Sequence, residues 1–305
     1  MLMNDTIARA LFGRSCAIRD LDDPPGHQLN PPVHDTEAAD SNMTTEDLYR
    51  MQRMQKSSLL ESRLGGIENP NIKAAEHIEE YKQAFRLVHD EYADSGYVEP
   101  TPEHPFHYSV HSFLPETRVF IFQSRRQVLA TLTQIFDTNG FGLPMDALYG
   151  KELDNLRRKN RRITELSALV TSRPFRMRNL ILHLCKAMFD HSRASRVDDI
   201  CIMVNPKHLR FYTKILLFEQ FGPELFYEKV QAPAIPLRID MNHIEECLQE
   251  KYGRFGRAAN LHAFFCGSAD ASGGVGPVAR AFDIRTPSRD VLSFFRCPQE
   301  HSLAA

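Results

Sequence analysis

Hydrophobic positions recur at steps of three and four along residues 74–94, where Ile78, Tyr81, Phe85, Val88 and Tyr92 line one face. That spacing predicts an amphipathic helix, which Gly96 ends. The pattern then shortens. RVFIFQS (118–124) is β-branched and aromatic, and QVLATLTQIF (127–136) sets Val128, Ala130 and Leu132 against Leu129, Thr131 and Thr133. Both read as strands, joined by Arg125-Arg126 as a hairpin turn. Residues 142–160 read as loop then helix, 161–171 (RITELSALVTS) as a strand, and 176–195 as a helix with Leu180, Ile181, Leu184 and Met188 on its apolar face. DDICIMV (198–204) is a strand, and Pro206 suits the first turn of a helix through KHLRFYTKILLFEQ. Leu225–Val230 and Ala234–Ile239 close the series as strands, with Pro233 and Pro236 suggesting an edge or a bulge. This order predicts an α/β (α+β) fold, a mixed central sheet flanked by helices.

The two ends differ from this middle. Residues 1–70 include the acidic, Pro-rich run DLDDPPGHQLNPPVHDTEAADSN, which has too little apolar surface to offset its chain entropy. A mostly disordered tail is expected there, with a short helix from Thr44-Thr45-Glu46-Asp47 towards Gly65. Residues 71–240 form the patterned domain. Residues 241–305 begin with a helix over Ile244–Tyr252 and continue as an irregular extension with a SADASGGVG linker.

Composition narrows the classes. The 305 residues carry 37 basic and 39 acidic side chains, a net charge of -2, which argues against a nucleic-acid-coating protein. No run approaches the length of a membrane span. The opening MLMNDTIARALFGRS lacks a basic start followed by a long apolar run, so no secretory signal and a cytoplasmic location are expected. The six cysteines never form C-x-x-C, which suits a reducing compartment. His104, His107 and His111 stand at spacings of three and four, but Pro105 and the alternating FHYSVH read as extended chain. No metal site is expected there.

The densest chemical signal is RRKNRRITELSALVTSRPFRMR (157–178), in which one acid, Glu165, stands among eight cations. Two readings of Glu165 stay open: an outward position on a solvated face, or a place in a sheet cleft as a general base, where burial tunes its pKa. The cations read as surface charge, as a nucleic-acid patch, or as a dock for an acidic or phosphate-bearing partner.

The run GLPMDALYGKELDNLRRKNRRITELSALVTSRP resembles the core of the N-acyl amino acid synthase (FeeM-like) family. That family belongs to the GNAT acyltransferase superfamily and is related to acyl-homoserine lactone synthases. YKQAFRLVHDEYADSGYVEP, RQVLATLTQIFD and NPKHLRFYTKILLFEQFG agree with it, so the resemblance covers residues 75–240. It implies a GNAT-like fold and an enzyme that moves a fatty acyl group from a thioester to the α-amine of an amino acid. By the same resemblance Glu165, at the family's E-x-S position, is the base, and Tyr212 matches the helical Tyr that protonates the leaving thiolate. Packing beside Phe211 and Leu216 is the other reading of Tyr212. Ser167, Leu169 and Val170 fall on the substrate side, with a bulge at Leu169–Thr171 offering backbone donors to the oxyanion. Arg86 matches a family Arg on the first helix, or is a solvated helix charge.

Two departures refine what the resemblance implies. CoA-dependent relatives carry a glycine-rich pyrophosphate loop, whereas here the loop is Arg173-Pro174-Phe175-Arg176-Met177-Arg178-Asn179. Pro174 removes one amide donor. An acyl-phosphopantetheine thioester on an acidic acyl carrier protein is therefore favoured over acyl-CoA, with Arg173, Arg176 and Arg178 as docking charges and no bound cofactor. Homoserine lactone synthases follow E-x-S with Arg, and this chain has Ala168, which speaks against S-adenosylmethionine as acceptor. An apolar tunnel for the acyl chain would draw on the helix at 176–195 and on Phe264, Phe265, Phe294 and Phe295, which core packing explains equally well. Contact with a membrane, if any, is peripheral and through the lipid product. The competing reading is a non-catalytic GNAT-like module that binds an acidic protein through residues 157–178.

Overall fold

The computed structural model describes residues 43–57, 60, 64, 66–99, 103–267 and 287–296. The elements run α1 (Thr45–Ser57), β1 (Asn71–Ala74), α2 (Ile78–Asp94), β2 (Arg118–Ser124), β3 (Gln127–Phe136), α3 (Asp146–Arg157), β4 (Ile163–Thr171), α4 (Leu180–Ala194), β5 (Asp199–Val204), α5 (Leu209–Lys214), β6 (Glu219–Gln220), β7 (Leu225–Tyr227), β8 (Ala232–Asp240), α6 (Ile244–Tyr252), α7 (Leu261–Cys266) and α8 (Arg289–Arg296).

The strands form one sheet in the order β1-β2-β3-β4-β5-β8-β6, with β7 also on β8. Every pair is antiparallel except β4–β5, which runs parallel. Parallel neighbours need a crossover connection, and α4 supplies it. Arg125 and Arg126 both adopt positive φ (48° and 67°), the geometry of the tight two-residue turn that a twisted hairpin favours.

Two cores flank the sheet. On one face α4, α5, α6 and α7 bury Phe120, Phe122, Leu166, Leu184, Tyr212 and Leu261. On the other, α3 buries Met145, Tyr149 and Leu153 against Ile163, Cys201 and Met203. β3 is buried from Val128 to Phe136 because both of its faces are covered.

Several expectations change. The helix predicted from Thr44 is present as α1 and is firmly packed, with Met54 fully buried; the disorder expected over residues 1–42 lies outside the described residues. The helix expected through residues 207–220 stops at Lys214. Leu217 takes φ 59° and Phe218 N–H bonds the Tyr212 carbonyl at 3.0 Å, turning the chain into β6. The helix expected from 176 starts at Leu180, after a 3-10 turn over Arg173–Arg178. β8 is not an edge strand. Pro236 pairs with Met203 on β5, and its carbonyl accepts Phe221 N–H at 3.2 Å on the other side. The N–H and C=O of a strand residue point the same way, so the missing donor faces the outer side, between β6 and β7, and β5 loses nothing.

Candidate active site

β4 carries the site. Its pairing with β5 runs Ile163↔Asp199, Thr164↔Ile200 and Glu165↔Cys201 and stops there, although both strands continue. The cause lies on the opposite edge. Against β3 the register steps from Thr133↔Ser167 to Thr131↔Val170, so Ala168 and Leu169 together oppose Leu132. This bulge lies one residue earlier than expected. Ala168 takes φ 53°, the positive-φ non-glycine found inside a strand among the described residues. Such a conformation costs on the order of 1 kcal/mol or more and persists where surroundings enforce it. A bulge bends and twists its strand, and here β4 leaves β5 beyond it. The β5-facing edge of β4 from Leu166 to Thr171 therefore has no strand beside it.

Glu165 sits at the last paired position. Alternation places it on the face of Ile163, in the α3 core, so it does not point outward. Its carboxyl is 0% exposed, and Oε2 accepts the Met145 N–H at 2.8 Å. The expected open groove is thus closed at the carboxyl itself. Burial pushes its pKa above the ordinary carboxylate value, the Met145 amide pulls the other way, and the nearby Asp146 charge adds to the rise. Cys201, its register partner, is also buried, and its thiol is held well above the ordinary value by burial and then by the Asp199 and Glu165 charges. It is a core residue, not a nucleophile.

The Met145 amide is aimed by a clamp that the sequence reading missed. Arg157, at the end of α3, holds both oxygens of Asp137 (2.7 and 2.8 Å) and both oxygens of Asp146 (2.7 Å each), and reaches Asp154 at 3.0 Å. Asp146 Oδ2 also accepts Leu143 N–H at 2.7 Å. Gly142 has φ 59°, and a Cβ there would stand 2.6 Å from that same oxygen, so the turn requires glycine. Burial would raise the Asp146 carboxyl, but Arg157 and the Leu143 amide hold it below the ordinary value. The signal was present in GLPMD and ELDNLRR, a glycine turn and acids in reach of one arginine.

This clamp also changes the reading of the basic run. Arg157 faces inward. Arg161 binds Asp199 and, at 2.8 Å, Asp240, and Arg162 pairs with Glu116 at 3.0 Å and stacks on Phe136. Arg157 and Arg161 are half-buried and engaged within the fold, whereas Arg158, Lys159, Arg162 and Arg173 are exposed.

The remaining predicted residues fall as follows. Ser167 is buried at the entry to the bulge, Leu169 packs into the α4-side core, and Val170 packs on Val88 and Tyr92 of α2. Tyr212 lies in the α4-side core, 2% exposed, and its hydroxyl has no hydrogen-bond partner among the described residues. Burial keeps that phenol protonated. Glu165 and Tyr212 belong to opposite faces of the sheet, and only a molecule threaded between the parted strands would touch both. Tyr227 on β7 shares the Glu165 face, and its phenol is raised by burial and by the Glu165 charge. Arg86 is exposed, with its guanidinium 5.4 Å from the Phe106 ring centre, and so holds the segment after α2. Arg173 is exposed and paired with Asp94 at the end of α2; the side chains of Arg176 and Arg178 lie outside the described residues. Of the three histidines, His107 is half-buried against Tyr92, its pKa pushed down to about 4 by desolvation, and His111 meets the Phe141 carbonyl. Among the described residues no helix is long and apolar enough to cross a membrane.

FeeM, an N-acyl amino acid synthase from uncultured soil microbes, is 24% identical over 58% of this chain and 94% of its own, with a TM-score of 0.52. BjaI, a CoA-dependent acyl-homoserine lactone synthase, is 16% identical over 60% of this chain and 88% of its own, with a TM-score of 0.44. An N-acetyltransferase from Staphylococcus aureus is 14% identical over 57% of this chain and 99% of its own, with a TM-score of 0.40. The search of curated protein sequences finds no match. The model of the family described as N-acyl amino acid synthase FeeM matches residues 83–240, more than half of the chain. The bulged, parting strands and the buried Glu165 all fall within those residues, and the chain belongs to the N-acyl amino acid synthase FeeM family, as an N-acyltransferase enzyme.

Proposed function

We propose that this enzyme transfers a fatty acyl group from an acyl carrier protein to the α-amine of an amino acid. The observation that carries the reading is Glu165, buried at the point where β4 parts from β5, with the bulged edge of β4 beyond it. The amine must lose a proton to attack. Glu165, with its pKa raised, takes that proton as the new C–N bond forms at the thioester carbon. Backbone N–H groups on the β5-facing edge beyond Ala168, which has no strand beside it, stabilise the oxyanion. The C–S bond then breaks, and the Tyr212 hydroxyl, which needs a partner, gives its proton to the leaving thiolate. Ser167, Leu169 and Val170 border the acyl path. Because Glu165 is closed off, entry of substrate requires β4 and β5 to move further apart.

The carrier-protein part rests on the loop after β4. It is a 3-10 turn led by Pro174, and Phe175 N–H already bonds the Ser172 carbonyl at 2.9 Å. Two amides that would cradle a pyrophosphate are therefore removed or engaged. A carrier protein brings its own acidic surface to Arg173, Arg176 and Arg178. Such a donor places the enzyme in the cytoplasm, with any membrane contact peripheral and through its lipid product.

The test is purified protein with a set of amino acids and either acyl carrier protein or acyl-CoA as donor, read by mass spectrometry. An N-acyl amino acid formed faster from the carrier protein is expected. Faster turnover of acyl-CoA overturns the donor assignment, and no product from either donor overturns the reaction.

A further inference from the structure

We propose that Glu245, His262 and Cys266 form a binding site for a zinc-class divalent ion that ties α7 to α6. One ligand atom from each residue lies within 4.8 Å of the other two. The three come from α6 and α7 of the C-terminal extension, beyond the residues matched by the family. His262 and Cys266 stand four apart on α7 and so share a face. Glu245 comes from the first turn of α6.

The donor set selects the ion. A thiolate, an imidazole and a carboxylate suit zinc or cobalt, whereas magnesium and calcium take oxygen ligands. A tetrahedral ion with bonds of about 2.0–2.3 Å holds its ligands roughly 3.3–3.8 Å apart. The present spacing, within 4.8 Å, has to close to that value on binding. Three protein ligands leave the fourth position for water. Arg193 on α4 pairs with Glu245 Oε2 at 3.1 Å. A carboxylate has two oxygens, so this pair and coordination coexist, and the arginine orients the ligand from the second shell.

The surroundings are already arranged for such a tie. Asn260 caps α7 by accepting Ala263 N–H at 2.8 Å and donates to the Phe255 carbonyl at 3.1 Å, which fixes the α6–α7 connection. Phe264 and Phe265 pack on His183 and Phe189 of α4, with ring centres 6.1 and 5.4 Å apart. A helix of six residues does not hold itself in water, so a cross-link to α6 adds a restraint that its own hydrogen bonds do not. Binding exchanges the Cys266 thiol proton for the ion, and so strengthens as pH rises.

The experiment is a titration of tag-free, full-length protein with Co²⁺, followed by Zn²⁺. Expected are a sulfur-to-cobalt charge-transfer band, its loss on adding Zn²⁺, about one ion per chain, and a higher Tm with Zn²⁺. Cys266→Ser abolishes the band. Glu245→Gln, at an exposed carboxyl that is not part of the core, weakens binding about tenfold or more. Cys247→Ser, at the exposed cysteine of α6, leaves the band intact. Circular dichroism of the metal-free variants checks that they are folded. Absence of a band at saturating Co²⁺, or a band that survives Cys266→Ser, overturns the proposal. The titration is read without acyl transfer, so its outcome is independent of the proposed reaction.

Discussion

Two fully buried acids sit on neighbouring strands and are treated oppositely. Asp199 on β5 lies under two guanidiniums, with Arg238 at 2.7 Å from Oδ1 and Arg161 across both oxygens. It pins the paired ends of β4, β5 and β8, where Ile163, Asp199 and Asp240 are in register. Glu165, two residues further along β4, receives a backbone amide, and burial sets the direction of its pKa. Both acids are 0% exposed, so burial alone does not separate structure from chemistry. What separates them is the neighbouring strand: Asp199 lies where β4 and β5 are paired, Glu165 where they part. A carboxyl bound by two guanidiniums is a fastener, and one whose pKa burial raises is suited to accept a proton.

The largest expected effect comes from Glu165→Gln, which keeps the acceptor for Met145 N–H and removes the proposed base. Acyl transfer should fall about 10²–10⁴-fold. Stability should move the other way. A carboxyl whose folded pKa is raised contributes stability below its unfolded value and loses it as pH climbs through the folded value. At neutral pH and above, Glu165→Gln should therefore melt higher than the parent, and below the unfolded carboxylate range the two should converge. A lower Tm at high pH would place Glu165 among the fasteners. Asp199→Ala is the mirror experiment. It leaves Arg161 and Arg238 facing each other and should cost about 3 kcal/mol in urea unfolding. If it proves neutral, the contrast between the two acids fails.

Arg157→Gln comes next. It frees Asp137 and Asp146 and should cost about 1–3 kcal/mol. It should also slow acyl transfer, because the Met145 amide is no longer aimed at Glu165. A rate unchanged in a destabilised variant would make the clamp structural only. The smallest effect is expected from Tyr212→Phe. Its buried hydroxyl lacks a partner among the described residues, so stability should change by less than about 1 kcal/mol. Turnover should fall about tenfold, more for poor thiol leaving groups than for good ones. Equal slowing across leaving groups would transfer the acid role elsewhere, with Tyr227 on the Glu165 face as the first alternative.

The fold was legible where periodicity is strong. α2, β2, β3, β4 and β5 follow from spacing alone, because a covered sheet demands apolar residues at fixed steps. β1, α7 and α8 were not foreseen, since four to eight residues carry too few repeats to stand out. α5 was read too long because LLF continues the helical pattern, while tertiary packing turns Leu217 to positive φ. At the site, Glu165 was legible as a lone acid in an apolar strand. The bulge that parts β4 from β5 was expected through the family resemblance, one residue later than found, while the residues themselves carry no turn signature at Ala168. The partners of the basic run were hidden for a related reason: charge is visible in sequence, but the acids that bind Arg157 and Arg161 lie from 3 to 79 positions away and most are brought in by the fold.

The central claim is that Glu165 works as a desolvated base, and the pH dependence of kcat/KM tests it most directly. The account predicts an acid limb governed by one group titrating above the ordinary carboxylate range, and the disappearance of that limb from the residual activity of Glu165→Gln. An acid limb that persists unchanged in Glu165→Gln would contradict it.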